Sequence, residues 1–260
     1  MANRVEQVMG LPISLDLRDD GDFDEAVDTV FEWFHEVDAR FSPFKEDSEV
    51  SRYDRGEISA ADLSDDLIEV LELCAYYEQL SGGAFRARMP GRGLDPCGVV
   101  KGWSVQRAAD MLKAAGATTF CLNAGGDVVT AGEPEPGRPW RVGVRHPEQP
   151  LAVCAVLESR DGAIATSAAY ERGSHILDGR DGTPATGLMS VTVVAADLVT
   201  ADALATAAYA MGTEGIAWAA DRPGCEILII DDGRNVHRTA GLALASAADS
   251  GRQPASGKVA

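Results

Sequence analysis

GVVKGWSVQRAADMLKAAGATTFCLNAGGD, residues 98–127, contains a helix, a strand and a sharp turn in one pass. Helical character runs from about residue 102 to 115 and stops at Gly116, a residue suited to the left-handed helix end. Phe120, Cys121 and Leu122 then form a strand-like run, and the paired glycines Gly125 and Gly126 behind it accept the positive φ of a tight turn. Upstream, Leu11, Ile13, Leu15 and Leu17 alternate with polar or small neighbours, the period of a strand with one buried face. From Asp24 the period lengthens: Val27, Val30, Phe31, Phe34 and Val37 fall at helical spacing, with Asp22 as candidate N-cap and Glu25 its partner. A second helix is predicted over 64–80, with Leu67, Val70, Leu71, Cys74 and Tyr77 as its stripe and Gly82-Gly83 at its end.

Downstream, strand-like runs are predicted at 141–144, 153–157, 190–194 and 226–230, and helices at 201–211 and 214–220. The sequence DDGR at 231–234 lies between two such runs and predicts a hairpin. Several strands are joined by turns too short for helical crossovers, so the fold class is α+β, with mixed, largely antiparallel sheets and packed helices. The length of 260 residues suits one large domain or two intimately packed lobes, and no Pro- or Ser-rich linker divides it. Residues 1–240 read as one domain. Residues 241–260 are poor in apolar side chains and read as a flexible tail.

Asp and Glu number 41 against 23 Lys and Arg, a net charge of −18, which repels a phosphate backbone and argues against nucleic acid as a partner. No apolar run approaches the roughly 20 residues of a membrane span. The start MANRVEQVMG lacks a basic, then apolar, export signal, so a cytoplasmic location is expected. The five cysteines are odd in number and show no zinc spacing; four of them read as small core residues, and Cys97 stands apart because of its neighbours.

Four glycine-punctuated segments place small residues beside polar ones. In DPCGVVKGW (95–103), Gly98 and Gly102 flank Lys101 ahead of a helix, where backbone N–H groups and an ammonium can approach a phosphate; a solvated surface lysine is the plainer alternative. The spacings of P-loop and Rossmann motifs are absent. In NAGGD, Asp127 is either a turn aspartate or a functional carboxylate. In TADALAT (200–206), Asp202 and Thr206 lie four apart and would share a helix face, able to offer a carboxylate and a hydroxyl to a hard cation such as Mg²⁺, or simply to serve the helix dipole and the preceding turn. His175, in ATSAAYERGSHILDGRDG, is either structural or catalytic. Phe44, in SPFKEDSEVSRY, packs in the core or stacks on a planar ligand, and the same segment leads into a helix start.

The order of these elements, MG, SPFKEDSEVSRY, GGAF, GxxKGW, NAGGD, TSAAYER, HILD and DALAT, resembles the ApbE family of FAD:protein FMN transferases, from about Met9 to Gly212. The resemblance implies an ApbE, T-fold-like α+β architecture with FAD in a cavity between two lobes and Mg²⁺ at its pyrophosphate. It implies transfer of FMN through a phosphoester to a Thr or Ser of an acceptor flavoprotein, with release of AMP. By motif, Asp202 and Thr206 correspond to the metal-binding pair, with backbone oxygens near Gly98 and Ala205. Lys101, Asp127, His175 and Gly83, Ala84 and Phe85 correspond to cofactor contacts, and Met9 and Phe44 would pack on the flavin. His175 or Asp202 is the candidate base for the acceptor hydroxyl. Hydrolysis of FAD to FMN and AMP, and flavin storage without catalysis, are the alternative functions.

The chain departs from the family pattern at four residues, and its stretch from Phe85 to Asp95 is shorter than in many members. Arg86 follows Phe85 where an aspartate is common, and Ala168 replaces the glycine of TSG. Gly179 stands where proline is usual and would loosen the backbone, and Asp181 puts a carboxylate where a hydroxyl is common.

Overall fold

The computed structural model describes residues 2–89, 91–169 and 176–246. Strand β1 (Ala2–Val8) turns through Met9-Gly10 into β2 (Leu11–Leu17), whose Leu11, Ile13, Leu15 and Leu17 are buried as the alternation demands. β1 is not marked by the sequence, because its only large apolar residues are Val5 and Val8, set among polar ones. Next come helix α1 (Asp24–Phe41), the short helix α2 (Glu49–Asp54), a 3₁₀ turn at Ala60–Asp62 and helix α3 (Asp65–Leu80). Ser48 and Ser64 cap α2 and α3, their Oγ atoms accepting from the N–H groups of Ser51 (3.0 Å) and Leu67 (3.3 Å). Asp22 does not cap α1: Phe23 holds that place, and the Asp22 carboxylate accepts instead from Asp24 N at 3.2 Å.

Helix α4 (Cys97–Ala114) begins earlier than predicted, so Lys101 sits inside it rather than ahead of it. The strands β3 (Phe120–Ala124), β4 (Asp127–Ala131), β5 (Trp140–Arg145), β6 (Val153–Ser159), β7 (Gly162–Ala168) and β8 (Leu188–Ala195) follow. Helices α5 (Leu198–Ala210) and α6 (Glu214–Ala220) and the hairpin β9 (Glu226–Asp231) with β10 (Val236–Arg238) complete the order. Neither β4 nor β7 was expected. β4 is buried along its whole length, and both are short runs rich in small residues, which removes the alternation that marks a half-buried strand.

Eight strands form one sheet in the order β1-β2-β3-β4-β7-β8-β9-β10, and β5 and β6 form a second. Every pairing between these strands is antiparallel. The helices α1, α4 and α5 share the main core with the inward residues of the large sheet. On the other face the β5-β6 hairpin packs Val144 and Leu157 against Ile164 and Leu228. α5 is buried almost all round because alanines at Ala201, Ala203, Ala205, Ala207 and Ala208 let it lie close to its neighbours.

Two expectations are corrected at the periphery. The stretch from residue 241 is not wholly a loose tail: Leu242 is buried, Glu158 N donates to Ala243 O and Ala245 N to Val156 O, so 242–245 runs along β6. Residues 247–260 lie outside the described residues. Of the cysteines, Cys74 and Cys225 are buried and Cys121 is half-buried, but Cys154 is exposed on β6.

The topology gathers particular loops at one end of the sheet. Arg4 Nη1 meets Asp28 Oδ1 at 2.5 Å and Glu6 Oε2 meets His35 Nε2 at 2.9 Å, so α1 runs parallel to β1. Gly125, in the β3-β4 turn, donates from its N–H to Pro12 O at 2.9 Å and lies at the end where β1 turns at Met9. The C-terminal half of β7 arrives there too, next to Asp127 at the start of β4.

Candidate active site

The close crossing of α4 and α5 builds the centre of the site. At Gly102 a Cβ would stand 2.6 Å from Leu198 O and 2.9 Å from Asp202 Cβ, so only glycine lets the helices approach this far. The Gly102 N–H donates to Asp202 Oδ2 at 2.9 Å. One residue earlier, Lys101 reaches from α4 to both buried carboxylates: Nζ is 2.6 Å from Asp127 Oδ2 and 3.4 Å from Asp202 Oδ1. Asp127 is fixed on its other oxygen by the Thr166 N–H at 3.0 Å.

Two carboxylates against one ammonium leave an excess negative charge in a place nearly closed to water, an arrangement that favours a further cation or a retained proton. Burial raises the pKa of Asp202 from its ordinary 3.8 to about 7; Lys101 opposes the rise, Asp127 reinforces it, and the Gly102 N–H opposes it again. Thr206, one turn on from Asp202, faces Ser167 of β7 with hydroxyl oxygens 3.3 Å apart. The grouping of carboxylate and hydroxyl oxygens suits a hard divalent ion in its donor chemistry.

The cofactor candidates fall around this centre. Gly98 is no loop glycine; it lies in the first turn of α4, where a Cβ would meet Phe85 Cε2 at 2.7 Å and Thr206 Cγ2 at 3.5 Å. The Phe85 ring is buried in that gap with Tyr77 at its edge, so it presents no open aromatic face to a ligand. Ala205 is fully buried on α5. Met9 has φ 54° and Gly10 φ 74° in the two-residue β1-β2 turn. A methionine at positive φ is a strained choice where Asn or Gly is usual, and its side chain packs against the main core. Phe44 is 82% exposed and edges a hollow of about 320 Å³ shared with Pro43, Asp54, Arg55, Arg92 and Leu94. His175 lies outside the described residues.

The structure therefore joins Lys101, Asp127 and Asp202 directly, and Thr206, Gly98 and Phe85 by packing, with the Met9 turn at the same end of the sheet, while Phe44 lines the separate hollow beside Asp54 and Arg55. Sequence reasoning missed Thr166 and Ser167 as site residues. Their signal was present in the flagged ATSA run, where alternation along β7 turns Ser167 toward α5 and Thr166 toward β8, with Thr166 Oγ1 2.9 Å from Thr192 Oγ1. The departure at Asp181 is local: its Oδ1 accepts from Thr183 N and Oγ1, both at 2.8 Å, and closes a turn. Gly179 does not loosen the chain either. It is buried, and a Cβ there would lie 2.3 Å from Gly83 O.

The chain is 33% identical over 167 residues to the FAD:protein FMN transferase of Vibrio cholerae serotype O1, covering 59% of this chain and 50% of the relative. It is 32% identical over 227 residues to the FAD:protein FMN transferase of Rhodobacter capsulatus, covering 83% of this chain and 40% of the relative. The chain thus spans about half the length, or less, of these relatives. Among solved structures, the ApbE protein of Thermotoga maritima superposes with a TM-score of 0.82 at 23% identity, covering 92% of this chain and 97% of that one. The flavin transferase ApbE of Vibrio cholerae gives 0.78 at 22% identity with the same coverage. At that identity the superpositions speak for the fold. The model of the ApbE family matches residues 9–89 and 86–229, nearly the whole described fold, and on that match this chain belongs to the ApbE family.

Proposed function

We propose that the protein transfers the FMN moiety of FAD to a Ser or Thr hydroxyl of an acceptor flavoprotein, forming a phosphoester and releasing AMP, with Mg²⁺ as the resident metal. The reading rests on the Lys101, Asp127 and Asp202 cluster set beside Thr206, and the named activity of the relatives supports it. The bond that breaks joins the FMN phosphorus to the pyrophosphate bridging oxygen, and the bond that forms joins that phosphorus to the acceptor oxygen. AMP leaves with the bridging oxygen, and the acceptor gives up its proton.

Asp202 and Thr206, with backbone oxygens near Gly98 and Ala205, would hold the Mg²⁺, which supplies charge neutralisation at the pyrophosphate. Lys101 holds Asp127 in place, and together they present charge to the cofactor near the head of α4. The Gly83–Phe85 backbone, Met9 and Phe44 border the flavin, in a cavity between two lobes. Asp202 or His175 takes the acceptor's proton.

The test is incubation of the protein with FAD, Mg²⁺ and an acceptor flavoprotein carrying a Ser/Thr flavinylation motif. AMP release together with flavin fluorescence that stays on the acceptor after denaturation is the expected result. The Asp202→Ala variant should lose both. AMP without a flavinylated acceptor would make the protein an FAD hydrolase, and FAD binding without AMP would make it a storage protein.

A further inference from the structure

We infer that Gly179 is a positioning residue for the cofactor-binding turn at 83–86, acting through the carbonyl oxygens of Gly83 and Ala84; the inference rests on the reading of that turn as an FAD contact. Residues 176–185 form a closed hairpin: Asp178 N donates to Thr183 O at 2.8 Å, Gly182 N to Asp178 O at 2.7 Å and Ala185 N to Ile176 O at 3.0 Å. Arg180 ties it outward, donating from Nε to Asp178 at 2.9 Å and from Nη1 to Glu214 of α6 at 2.7 Å.

Gly179 is the buried residue of this hairpin, and its N–H donates to Ala84 O at 2.9 Å. A Cβ at 179 would meet Gly83 O at 2.3 Å, Arg86 Cβ at 2.8 Å and Ala84 O at 2.9 Å. Gly179 is not among the glycines of positive φ, so close approach, and not backbone conformation, requires it. Proline would remove the N–H as well as overlap.

The turn that receives it is also tied from behind. Gly83 N donates to Glu78 O at 2.8 Å, Phe85 N to Ser81 Oγ at 2.9 Å, and Arg86 Nε to Glu78 Oε1 at 2.9 Å. From there contact continues through the Phe85 ring to Gly98 and on to Thr206 Cγ2. The hairpin therefore presses the turn against the head of α4, and FAD binding to the turn is thermodynamically linked to the Gly179–Ala84 bond.

The experiment is FAD titration of wild type and Gly179→Ala by flavin fluorescence without added metal, with thermal unfolding of both proteins. The expected result is a cooperatively folding variant whose FAD dissociation constant is raised about tenfold or more. Equal affinity in the two proteins overturns the inference and leaves the functional reading standing; failure of the wild type to bind FAD either without metal or with added Mg²⁺ overturns both. If the variant does not fold, hydrogen exchange on the wild type decides the matter. Saturating FAD should slow exchange of the Gly179 amide about fivefold more than that of amides in β9 and β10, a local excess that general stabilisation by the ligand would not produce, and equal slowing at both places overturns the inference.

Discussion

The Gly102 N–H donates a 2.9 Å hydrogen bond to Asp202 Oδ2, so the carboxylate at the centre of the site is held by the backbone of a helix 100 positions away in sequence. That bond exists because glycine lets α4 and α5 nearly touch. Gly102→Ala places a methyl 2.6 Å from Leu198 O, and the helices must part to accept it. We expect a loss of about 1–3 kcal/mol on urea unfolding, the usual cost of overpacking, together with reduced AMP release. An unchanged unfolding midpoint would show that the crossing is slacker than it looks.

The raised pKa of Asp202 gives a pH signature. The folded chain keeps this proton up to about pH 7, whereas the unfolded carboxyl loses it near 3.8. Between those values the folded state binds more protons, so this group's contribution to stability falls as pH rises through the window and is constant above it. Asp202→Asn removes the titration while retaining an oxygen for Gly102 N–H. In metal-free buffer, the stability of Asp202→Asn relative to wild type should therefore grow from pH 4 to 7 and then level off. Parallel profiles would place the retained proton elsewhere.

Lys101 answers two buried carboxylates, and its removal leaves both without their cation. Lys101→Met keeps most of the side-chain volume and should cost about 1–3 kcal/mol, less than a fully buried pair because the lysine is 24% exposed. Adding Asp127→Asn to Lys101→Met should recover part of that loss, since one uncompensated charge is then gone. A double-mutant cycle by chemical denaturation measures the coupling, and strict additivity would contradict a direct ion pair.

How far the sequence reveals this architecture depends on the kind of signal each part leaves. α3 and β2 are legible because a hydrophobic stripe faces one way and a glycine or a serine marks an end. β4 and β7 leave no period: β4 is buried on both faces and β7 is built largely of alanine and glycine, so neither alternates in hydropathy. Asp202 and Thr206 could be paired from their spacing alone, as could the glycines around Lys101. That Lys101 bridges Asp127 and Asp202, or that Ser167 meets Thr206, depends on strand order and helix crossing, which short-range pattern does not encode. The role of Gly179 was misread for a related reason: glycine for flexibility and glycine for close approach look alike until the neighbour is known.

Ser167→Ala isolates the contact between β7 and α5. The Ser167 hydroxyl is buried and 3.3 Å from Thr206 Oγ1, so its loss frees the threonine to rotate without opening a large cavity. Stability should fall by about 0.5–1.5 kcal/mol, while the Mg²⁺ concentration that half-saturates AMP release should rise several-fold. An unchanged Mg²⁺ requirement would separate Thr206 from the metal.

Phe44 offers the cleanest separation of binding from folding. At 82% exposure its ring contributes little to the core, so Phe44→Ala should leave the unfolding free energy within about 0.5 kcal/mol of wild type. If the ring stacks on a planar ligand at the hollow beside Asp54 and Arg55, its removal withdraws apolar contact and weakens FAD binding by about 1–2 kcal/mol, roughly 5- to 30-fold. Because the ring is remote from the Lys101 carboxylate cluster in sequence and burial, KM should rise with kcat little changed. A fall in kcat at unchanged KM would instead put Phe44 against the acceptor or the reacting phosphate, and no change in either would make it a surface residue without a part in the reaction.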